Sequence, residues 1–274
     1  MINVTNLSYH YPNRRQMVLN DFSLSLEDGR VYGLLGENGV GKTTLLGLMC
    51  GLLRPSKGSV TVDGVEAMRR EPSILSNLFY VPDEFNLPRV ALKTFVKVHG
   101  SFYPNFSMDV LQKCLNEFDM TSEPDRLDQL SLGQRKKVML SFAIASGTKT
   151  LLMDEPSNGL DIPSKAQFRK VMASAMTDER IIVISTHQVH DVEQLLDNVV
   201  IINNHNILLD KSISEIADEY AFRTVGPAET VDDILYSEPC IGGLNIIARR
   251  SKDDDETQVN LEMLFNATTK GLIK

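Results

Sequence analysis

A glycine-rich loop between an apolar strand and an apolar helix constrains this chain more than any other feature of its sequence. The strand is predicted over residues 31–35 and the helix over residues 44–53, because both runs are apolar and neither contains proline. Glycines let such a loop curl with its backbone N–H groups pointing inward, and the N-terminus of the following helix adds partial positive charge. The sequence therefore predicts a phosphate-binding site here.

The loop matches the pattern G-x-x-x-x-G-K-[ST] in full. Lys42 would bring a full positive charge to the β- and γ-phosphates of a nucleotide, and the Thr43 hydroxyl is a hard oxygen ligand for Mg²⁺. The alternative, a chance glycine-rich turn, requires the loop, the strand and the helix to coincide. The residues predicted to bind the nucleotide are Gly36, Glu37, Asn38, Gly39, Val40, Gly41, Lys42, Thr43 and Thr44.

A second apolar strand, over residues 149–153, ends in the two carboxylates Asp154 and Glu155. Ligands of α/β sheets bind outside the carboxyl ends of the strands, and burying a carboxylate without a purpose is expensive. We predict that Asp154 holds Mg²⁺ beside Thr43, and that Glu155 positions or deprotonates an attacking water. Without the phosphate loop, a surface acidic turn would be an equally good interpretation.

A third motif, over residues 130–134, begins another predicted helix, with Ser131 as its N-cap. A helix N-terminus that carries a serine and a glycine, here Gly133, is also a good receptor for a γ-phosphate. Because the phosphate loop of the same chain already surrounds the nucleotide, we expect this second receptor to serve another subunit.

Composition limits the partners that this chain can have. The chain has 274 residues, of which 42% are hydrophobic and 23% are charged, and this excludes a wholly disordered chain. Its net charge is −8, whereas proteins that bind nucleic acid usually present a basic face, so we expect no nucleic-acid partner. The basic cluster at Arg135, Lys136 and Lys137 is expected at a solvated surface.

Cysteine usage and hydropathy indicate a soluble chain in a reducing compartment. Cys50, Cys114 and Cys240 cannot form a disulfide framework. The N-terminus does not resemble a signal peptide, and no apolar run approaches the roughly 18 residues of a membrane span. We therefore expect any work at a membrane to need a partner.

Hydrophobic patterning predicts an α/β fold. Strands that alternate with helices indicate a parallel sheet, and period-2 alternation over residues 18–26 indicates an N-terminal antiparallel sheet. Residues 90–130 are helical in pattern, with Leu111, Leu115 and Phe118 on one face. Beyond residue 212 we expect a small appendix or partner-facing tail, with a short helix capped by Ser212 and another helix over residues 261–265.

Taken in order, these motifs resemble the nucleotide-binding domain of an ATP-binding cassette (ABC) transporter, over about residues 1–209. Residues 157–161 are similar to the D-loop of that family, residues 185–187 resemble its switch histidine, and Tyr11 matches the aromatic residue that stacks on adenine. The resemblance implies a P-loop NTPase core with a mixed sheet, an N-terminal antiparallel β subdomain and an inserted helical subdomain. We place the ATP-binding domain at residues 1–212, with the helical subdomain at about residues 84–147, and the appendix at residues 213–274.

The resemblance also implies a mechanism in which two such domains face head to tail and sandwich two ATP molecules. Each site would join the phosphate loop of one subunit to Ser131, Gly133 and Gln134 of the other. Glu155 would act on the water and His187 would contact the γ-phosphate, while Asp161 would help to couple the two sites. Taken alone, His187 is better interpreted as a satisfied polar residue at a strand end, and Tyr11 as a core aromatic.

One position departs from the family pattern. Where the family usually has a glutamine that touches Mg²⁺ and the attacking water, this chain has Asp83. An aspartate is shorter and charged. It would either reach Mg²⁺ through water or weaken the binding of metal and ATP by adding negative charge, and both possibilities stay open.

The function implied by the resemblance is an ATPase subunit that energises transport through a separate membrane permease. Residues 102–106 resemble those of small bacterial ABC-2-type exporters, so export is expected. The expected partners are the permease and a second copy of the chain or a homologous ATPase subunit, on the cytoplasmic face of the membrane. The alternatives are a soluble ABC ATPase without a transport role, for which residues 43–130 are too short to hold a long coiled coil, and a regulatory nucleotide sensor, which would predict loss of Glu155 or His187.

Overall fold

The computed structural model describes residues 1–12, 16–120, 124–226, 229, 231, 233–251, 255 and 257–273. Within these ranges, no helix is both long enough and apolar enough to cross a membrane. The strands are β1 (Ile2–Tyr9), β2 (Leu19–Leu26), β3 (Val31–Leu35), β4 (Lys57–Val62), β5 (Val65–Glu66), β6 (Leu78–Val81), β7 (Thr150–Asp154), β8 (Ile181–Thr186), β9 (Asn198–Asn203), β10 (Asn206–Ser212), β11 (Tyr220–Val225), β12 (Ile234–Cys240) and β13 (Gly243–Arg249). The α-helices are α1 (Lys42–Met49), α2 (Pro72–Leu75), α3 (Leu92–His99), α4 (Met108–Glu117), α5 (Leu132–Ala145), α6 (Ile162–Ala175), α7 (Ile213–Glu219) and α8 (Leu261–Thr269).

A mixed sheet in the order β10-β9-β3-β8-β7-β6 forms the centre of the molecule. Its strands are parallel apart from β10, which pairs antiparallel with β9. Strands β3, β7 and β8 are buried along their whole length, which explains why they read as unbroken apolar runs in the sequence. The α/β fold with a mixed sheet is therefore confirmed.

The N-terminal strands form an antiparallel sheet in the order β2-β1-β4-β5, as the alternation predicted. Buried side chains of β1 and β2 pack with those of α1 in one hydrophobic cluster. Asp63 and Gly64 form the hairpin turn between β4 and β5, and both residues have the positive φ that a tight two-residue turn requires.

Helix α1 is shorter than predicted. It ends at Met49 because Gly51 adopts a left-handed conformation with φ of +65°, a backbone state that stops an α-helix. A Cβ at Gly51 would lie 2.1 Å from the carbonyl oxygen of Ala67, so the chain can turn here only with glycine. The tight turn keeps α1 packed under the N-terminal sheet, with its N-terminus at the phosphate loop.

The helical pattern between residues 90 and 130 is confirmed for α3 and α4, and the stretch between them is not α-helical. Pro104 lies in this stretch, where it cannot continue a helix. Leu111, Leu115 and Phe118 are buried together, as predicted. The ring of Phe142 on α5 contacts several aromatic rings from β6, α3 and the α3–α4 connection, so this cluster fixes α5 against the central sheet.

The segment after residue 212 contains more regular structure than the sequence indicated. Ser212 caps α7 through a capping box with Glu215, as predicted, and α8 extends the predicted helix to Thr269. An antiparallel sheet in the order β11-β13-β12 is an additional finding. Leu261 and Leu264 of α8 are buried in the same hydrophobic cluster as α5 and β9, so this segment packs on the central core. The domain boundaries at residues 84, 147 and 212 stay predictions.

Candidate nucleotide-binding site

The phosphate loop lies at the carboxyl edge of the central sheet. Register places Leu35, the last residue of β3, beside Thr186, and Asp154, the last residue of β7, beside Ser185. Three predicted motifs therefore meet at one edge because three neighbouring parallel strands end there. They border a cavity of about 350 Å³, which is lined by Tyr11, Val18, Asn38, Gly39, Gly41, Lys42, Thr43, Thr44, Asp83, Asp154 and Glu155.

Two glycines give the loop its path. Gly41 is the N-cap of α1 with φ of +112°, so no side chain caps the helix and its first backbone N–H groups face the cavity. At Gly36, a Cβ would lie 2.8 Å from the carbonyl oxygen of Ile202, so only glycine lets the loop pass over the end of β9. Glu37 and Val40 belong to the loop but do not line the cavity.

The Lys42 side chain folds back onto its own loop. Its Nζ donates to the carbonyl oxygens of Gly36, at 2.7 Å, and Glu37, at 3.3 Å, and lies 3.6 Å from Oε1 of Glu155. The side chain is only 6% exposed, and burial lowers its pKa against the opposing effect of Glu155. A buried ammonium group that is held by neutral carbonyls and one carboxylate can exchange these partners for phosphate oxygens.

Thr43 and Asp154 face each other at the base of the cavity. The Thr43 hydroxyl donates to Oδ2 of Asp154 at 2.6 Å, and the buried Ser185 hydroxyl donates to the other carboxylate oxygen. The structure thus brings together the two oxygen ligands that the sequence assigned to Mg²⁺. Ser185 also fixes the rotation of the carboxylate.

Glu155 and His187 form a hydrogen-bonded pair beside Lys42. Nδ1 of His187 lies 2.8 Å from Oε1 of Glu155, and the Thr186 hydroxyl donates to Oε2 at 3.1 Å. Glu155 has φ of +46°, which for a residue with a side chain adds strain of about 1 kcal/mol or more. The strained backbone turns a carboxylate that is 8% exposed toward the cavity instead of toward the sheet.

Tyr11 stands at the rim of the cavity, 37% exposed, so it is not a core aromatic. Its hydroxyl lies 3.0 Å from Oγ1 of Thr44, and its ring meets Tyr9 edge-on at a centroid distance of 5.2 Å. The ring is thereby held in one orientation above the start of α1. Stacking on adenine stays a prediction that this position favours.

The residues predicted to act across a subunit boundary lie outside this cavity. Ser131 and Gln134 form the capping box of α5, and with Gly133 they are partly or fully exposed. Asp161 is exposed at the N-cap of α6, where it accepts a hydrogen bond from the backbone of Ser164 at 3.0 Å. The cap at Ser131 was predicted. The cap at Asp161 was missed, although an aspartate shortly before Pro163 is a known start signal for a helix.

Sequence reasoning missed Lys136 near the cavity, and it noted Asn158 only as part of residues 157–161. Nζ of Lys136 donates to Oδ1 of Asp83 at 3.0 Å and to the carbonyl oxygen of Glu155 at 2.7 Å. Nδ2 of Asn158 donates to the same Asp83 oxygen at 3.2 Å. The interpretation of residues 135–137 as a solvated basic cluster is therefore wrong for Lys136, which is 2% exposed. No pattern in the sequence distinguishes it from the neighbouring lysine.

Comparison with known proteins yields one consistent result. A family model described as "ABC transporter" matches residues 19–158. Among the similar curated proteins, the ABC transporter ATP-binding protein NatA of Bacillus subtilis is 29% identical, over 76% of this chain and 88% of its own length. The SkfA peptide export ATP-binding protein SkfE of the same organism is 27% identical, over 81% of this chain and 94% of its own length.

The fold has a counterpart among solved structures. A dimeric ATP-binding cassette, MJ0796, bound to ADP and Pi in a post-hydrolysis state, aligns with 77% of this chain and 98% of its own chain. The TM-score is 0.68 at 19% identity, so this comparison supports the fold. The P-loop NTPase architecture is confirmed by it.

Replacement of Lys42 by alanine should raise the Kd for ATP by about 100-fold, because the phosphates lose a charge-assisted donor within the loop. Isothermal titration calorimetry with ATP and Mg²⁺ measures this change directly. Lys57→Ala removes a lysine from the exposed start of β4 and should leave the Kd unchanged. If Lys42→Ala binds ATP as tightly as the unaltered chain does, Lys42 is not part of the site.

Proposed function

Because the chain belongs to the ABC transporter family, we propose that it hydrolyses ATP to energise transport through a separate membrane permease, in the direction of export. The observation that carries this proposal is the pair of Glu155 and His187, 2.8 Å apart, at the cavity that the phosphate loop forms. A nucleotide sensor without turnover would not need this pair. Export is favoured by the similarity to SkfE, whose name describes peptide export. The chain would act at the cytoplasmic face of the membrane, attached through the permease.

ATP would lie with its phosphates in the loop and its base at the rim of the cavity. The backbone N–H groups of residues 36–44 and Nζ of Lys42 bind the phosphates, and the ring of Tyr11 stacks on adenine. Thr44 supports this ring through the hydrogen bond to its hydroxyl. The loop is preformed, so binding requires little more than the exchange of the partners of Lys42.

The residues at the base of the cavity fit Mg²⁺. This ion prefers oxygen ligands and is usually held by one or two carboxylates together with phosphates and water. Thr43 and Asp154 would hold it, and Asp83 on the cavity wall would reach it through water. When bound, the ion neutralises negative charge on the β- and γ-phosphates.

Hydrolysis requires a water in line with the bond between the β- and γ-phosphates. Glu155 accepts a proton from this water as its oxygen attacks the γ-phosphorus, the bridging P–O bond breaks, and ADP and phosphate are formed. His187 orients the Glu155 carboxylate through the hydrogen bond at Nδ1. Its other ring nitrogen would contact the γ-phosphate. Nζ of Lys42 lies 3.6 Å from Oε1 of the same carboxylate.

Glu155→Gln should lower kcat by 100-fold or more and leave the Kd for ATP within a few-fold, because an amide cannot accept the proton while Lys42 and Thr43 remain. Single-turnover assays on the purified variant measure the chemical step. Glu66→Gln, on the exposed strand β5, is the matched control and should behave as the unaltered chain. Near-normal hydrolysis by Glu155→Gln would remove Glu155 from the catalytic role.

The proposal includes a head-to-tail dimer with composite sites. Ser131, Gly133 and Asp161 lie outside the cavity of their own chain and are accessible, and Leu132 and Ile162 expose apolar side chains beside them. A second copy that covers this face would receive Ser131 and Gly133 at its own bound ATP. The dimeric state of MJ0796 is consistent with such an arrangement.

Mixing two inactive variants tests the composite sites. Lys42→Ala disables the phosphate loop, and Gly133→Asp places a charge at the receptor face, where a Cβ meets its nearest neighbour at an ordinary 3.4 Å. If the sites are composite, both defects fall in one site of the heterodimer and the other site is intact. ATPase activity or nucleotide trapping should then reappear on mixing, up to about half of that of the unaltered dimer for each heterodimer. Absence of both, with the heterodimer confirmed, contradicts the composite arrangement.

An open apolar groove of about 990 Å³ offers a contact surface for the permease. It lies beside β6, α3 and α5, and its walls include Phe79, Phe95, Phe102 and Tyr103. Phe102 is 66% exposed, which is unusual for so large an apolar side chain. We propose that an apolar segment at the cytoplasmic end of the permease packs into this groove.

Phe102→Asp should abolish copurification of the permease from detergent-solubilised membranes while the Kd for ATP stays unchanged, because a charge at the rim opposes apolar packing. Mass spectrometry identifies the copurified polypeptide, which must be a multi-spanning membrane protein. Val98→Asp alters another exposed apolar residue, which lies on α3 and does not line the groove, and it should retain the permease. Retention by Phe102→Asp, or loss with both variants, contradicts the docking surface.

A further inference from the structure

We propose that Lys136 is a positioning residue of the nucleotide site: it holds the charge of Asp83 away from the phosphates of bound ATP and fixes the backbone of Glu155. This inference rests on the proposed function for its use of ATP. It assigns a role to a residue outside the predicted motifs, and it explains how an acidic residue is tolerated at position 83.

Burial is the first observation behind this proposal. Lys136 lies in the second turn of α5 and is 2% exposed, whereas its ammonium group would prefer water. A lysine is rarely buried unless its charge is paired and its donors are used. Here Nζ reaches Oδ1 of Asp83 at 3.0 Å and the carbonyl oxygen of Glu155 at 2.7 Å. Both partners belong to the wall or the catalytic turn of the nucleotide site.

Asn158 closes these contacts into a ring. Its side-chain amide donates to Oδ1 of Asp83 at 3.2 Å, and its backbone N–H donates to the carbonyl oxygen of Glu155 at 3.1 Å. Lys136 and Asn158 therefore share the same two acceptors. The ring holds Glu155 in its strained conformation with φ of +46°, and that conformation directs the carboxylate to the cavity.

The position of Asp83 explains why its negative charge needs a partner. Asp83 contributes to the nucleotide cavity and also to a second, polar cavity of about 430 Å³ under the start of α5. Lys136 and Asn158 line the second cavity and hold the carboxylate from that side. The nucleotide cavity already contains the carboxylates of Asp154 and Glu155. An unpaired third carboxylate would repel the phosphates of ATP.

Lys136 also connects the N-terminus of α5 with the catalytic turn at Glu155. The N-terminus of α5 carries Ser131 and Gly133, which we propose to face the ATP of a second subunit. Lys136 lies one turn further along this helix and is hydrogen-bonded to the backbone of Glu155, which acts on the ATP of its own chain. A displacement of α5 would therefore shift the backbone of Glu155.

A double-mutant cycle tests the ion pair. The purified full chain is titrated with ATP in EDTA, so that any role of Asp83 toward Mg²⁺ does not enter the result. Lys136→Gln should raise the Kd for ATP by about 10-fold because Asp83 loses its counter-charge. Adding Asp83→Asn to this variant should return the Kd to within about threefold of the starting value. Asp83→Asn alone should change the Kd by less than about threefold, since the charge that it removes is already paired.

Measurements of kcat test whether Lys136 also supports catalysis. With Mg²⁺ present, Lys136→Gln should lower kcat by about 10-fold, and the double variant should regain ATP affinity but not full kcat, because the Glu155 carbonyl still lacks its charged donor. A lysine that only stabilises the fold would not separate Kd from kcat in this way.

Lys137→Gln is the matched control. Lys137 is the next residue of α5, and its Nζ donates to the carbonyl oxygen of Phe118 at 3.1 Å, outside the nucleotide cavity. This variant should match the unaltered chain in Kd and kcat. Thermal unfolding of every variant without nucleotide separates a loss of binding from a loss of structure.

The outcomes are distinct. The proposal is overturned if Lys136→Gln changes the Kd by less than twofold, or if Asp83→Asn tightens binding equally with and without Lys136. Should Lys136→Gln fail to fold, the double variant decides, because it contains no buried unpaired charge and must fold and bind ATP. A double variant that is unfolded or binds weakly contradicts the proposal. Absence of hydrolysis by the unaltered chain would instead contradict the proposed function, while the cycle in EDTA still measures the ion pair.

Discussion

The parallel alignment of β3, β8 and β7 is the constraint on which the nucleotide site depends. Register brings the last residue of β3 beside Thr186 and the last residue of β7 beside Ser185, so three chain segments leave the sheet at the same edge. The phosphate loop, the Asp154–Glu155 turn and the segment with His187 are these three segments. Their side chains meet because backbone hydrogen bonds within the sheet set the relative positions of the strand ends.

Buried charge is concentrated at this edge, and each charge has a partner. Lys42 lies near Glu155, Lys136 is paired with Asp83, and Asp154 accepts hydrogen bonds from two hydroxyl groups. A buried ion pair rarely stabilises a protein, because the loss of hydration offsets most of the attraction. Strain at Glu155 adds a further cost. Such unfavourable features are expected where a protein binds a highly charged ligand. The buried charged side chains are then already oriented toward the ligand before it binds.

The sequence was most informative where local chemistry determines structure. The loop that precedes α1 and the cap at Ser212 each follow from a few adjacent residues, and the structure contains both where they were predicted. The partners of Asp83 depend instead on how α5 packs against β6 and β7, and Lys136 lies 53 residues away in the chain. A lysine in a basic run gives no sign that it is buried.

The C-terminal sheet escaped prediction for a related reason. Strand β12 contains Pro239 and exposes residues on both faces, so its apolar alternation is weak. It is held as a strand by pairing with β13, which is a non-local interaction. Tertiary contacts therefore decided the structure of this segment, as they did for the surroundings of Lys136.

Helix α5 shows how a single element can serve both the site of its own chain and the proposed site of a second subunit. At 100° per residue, Ser131 and Lys136 are separated by about 140° around the helix axis. The side of α5 that carries Ser131 can thus remain accessible while the side that carries Lys136 is buried beside Glu155. Ser131 is exposed and Lys136 is buried, as this arrangement requires. Because an α-helix is stiff over so short a distance, a partner that shifts Ser131 also shifts Lys136. In a head-to-tail dimer, closure at the ATP of one subunit would then be transmitted to the catalytic turn of the other through Lys136, without any change in the central sheet.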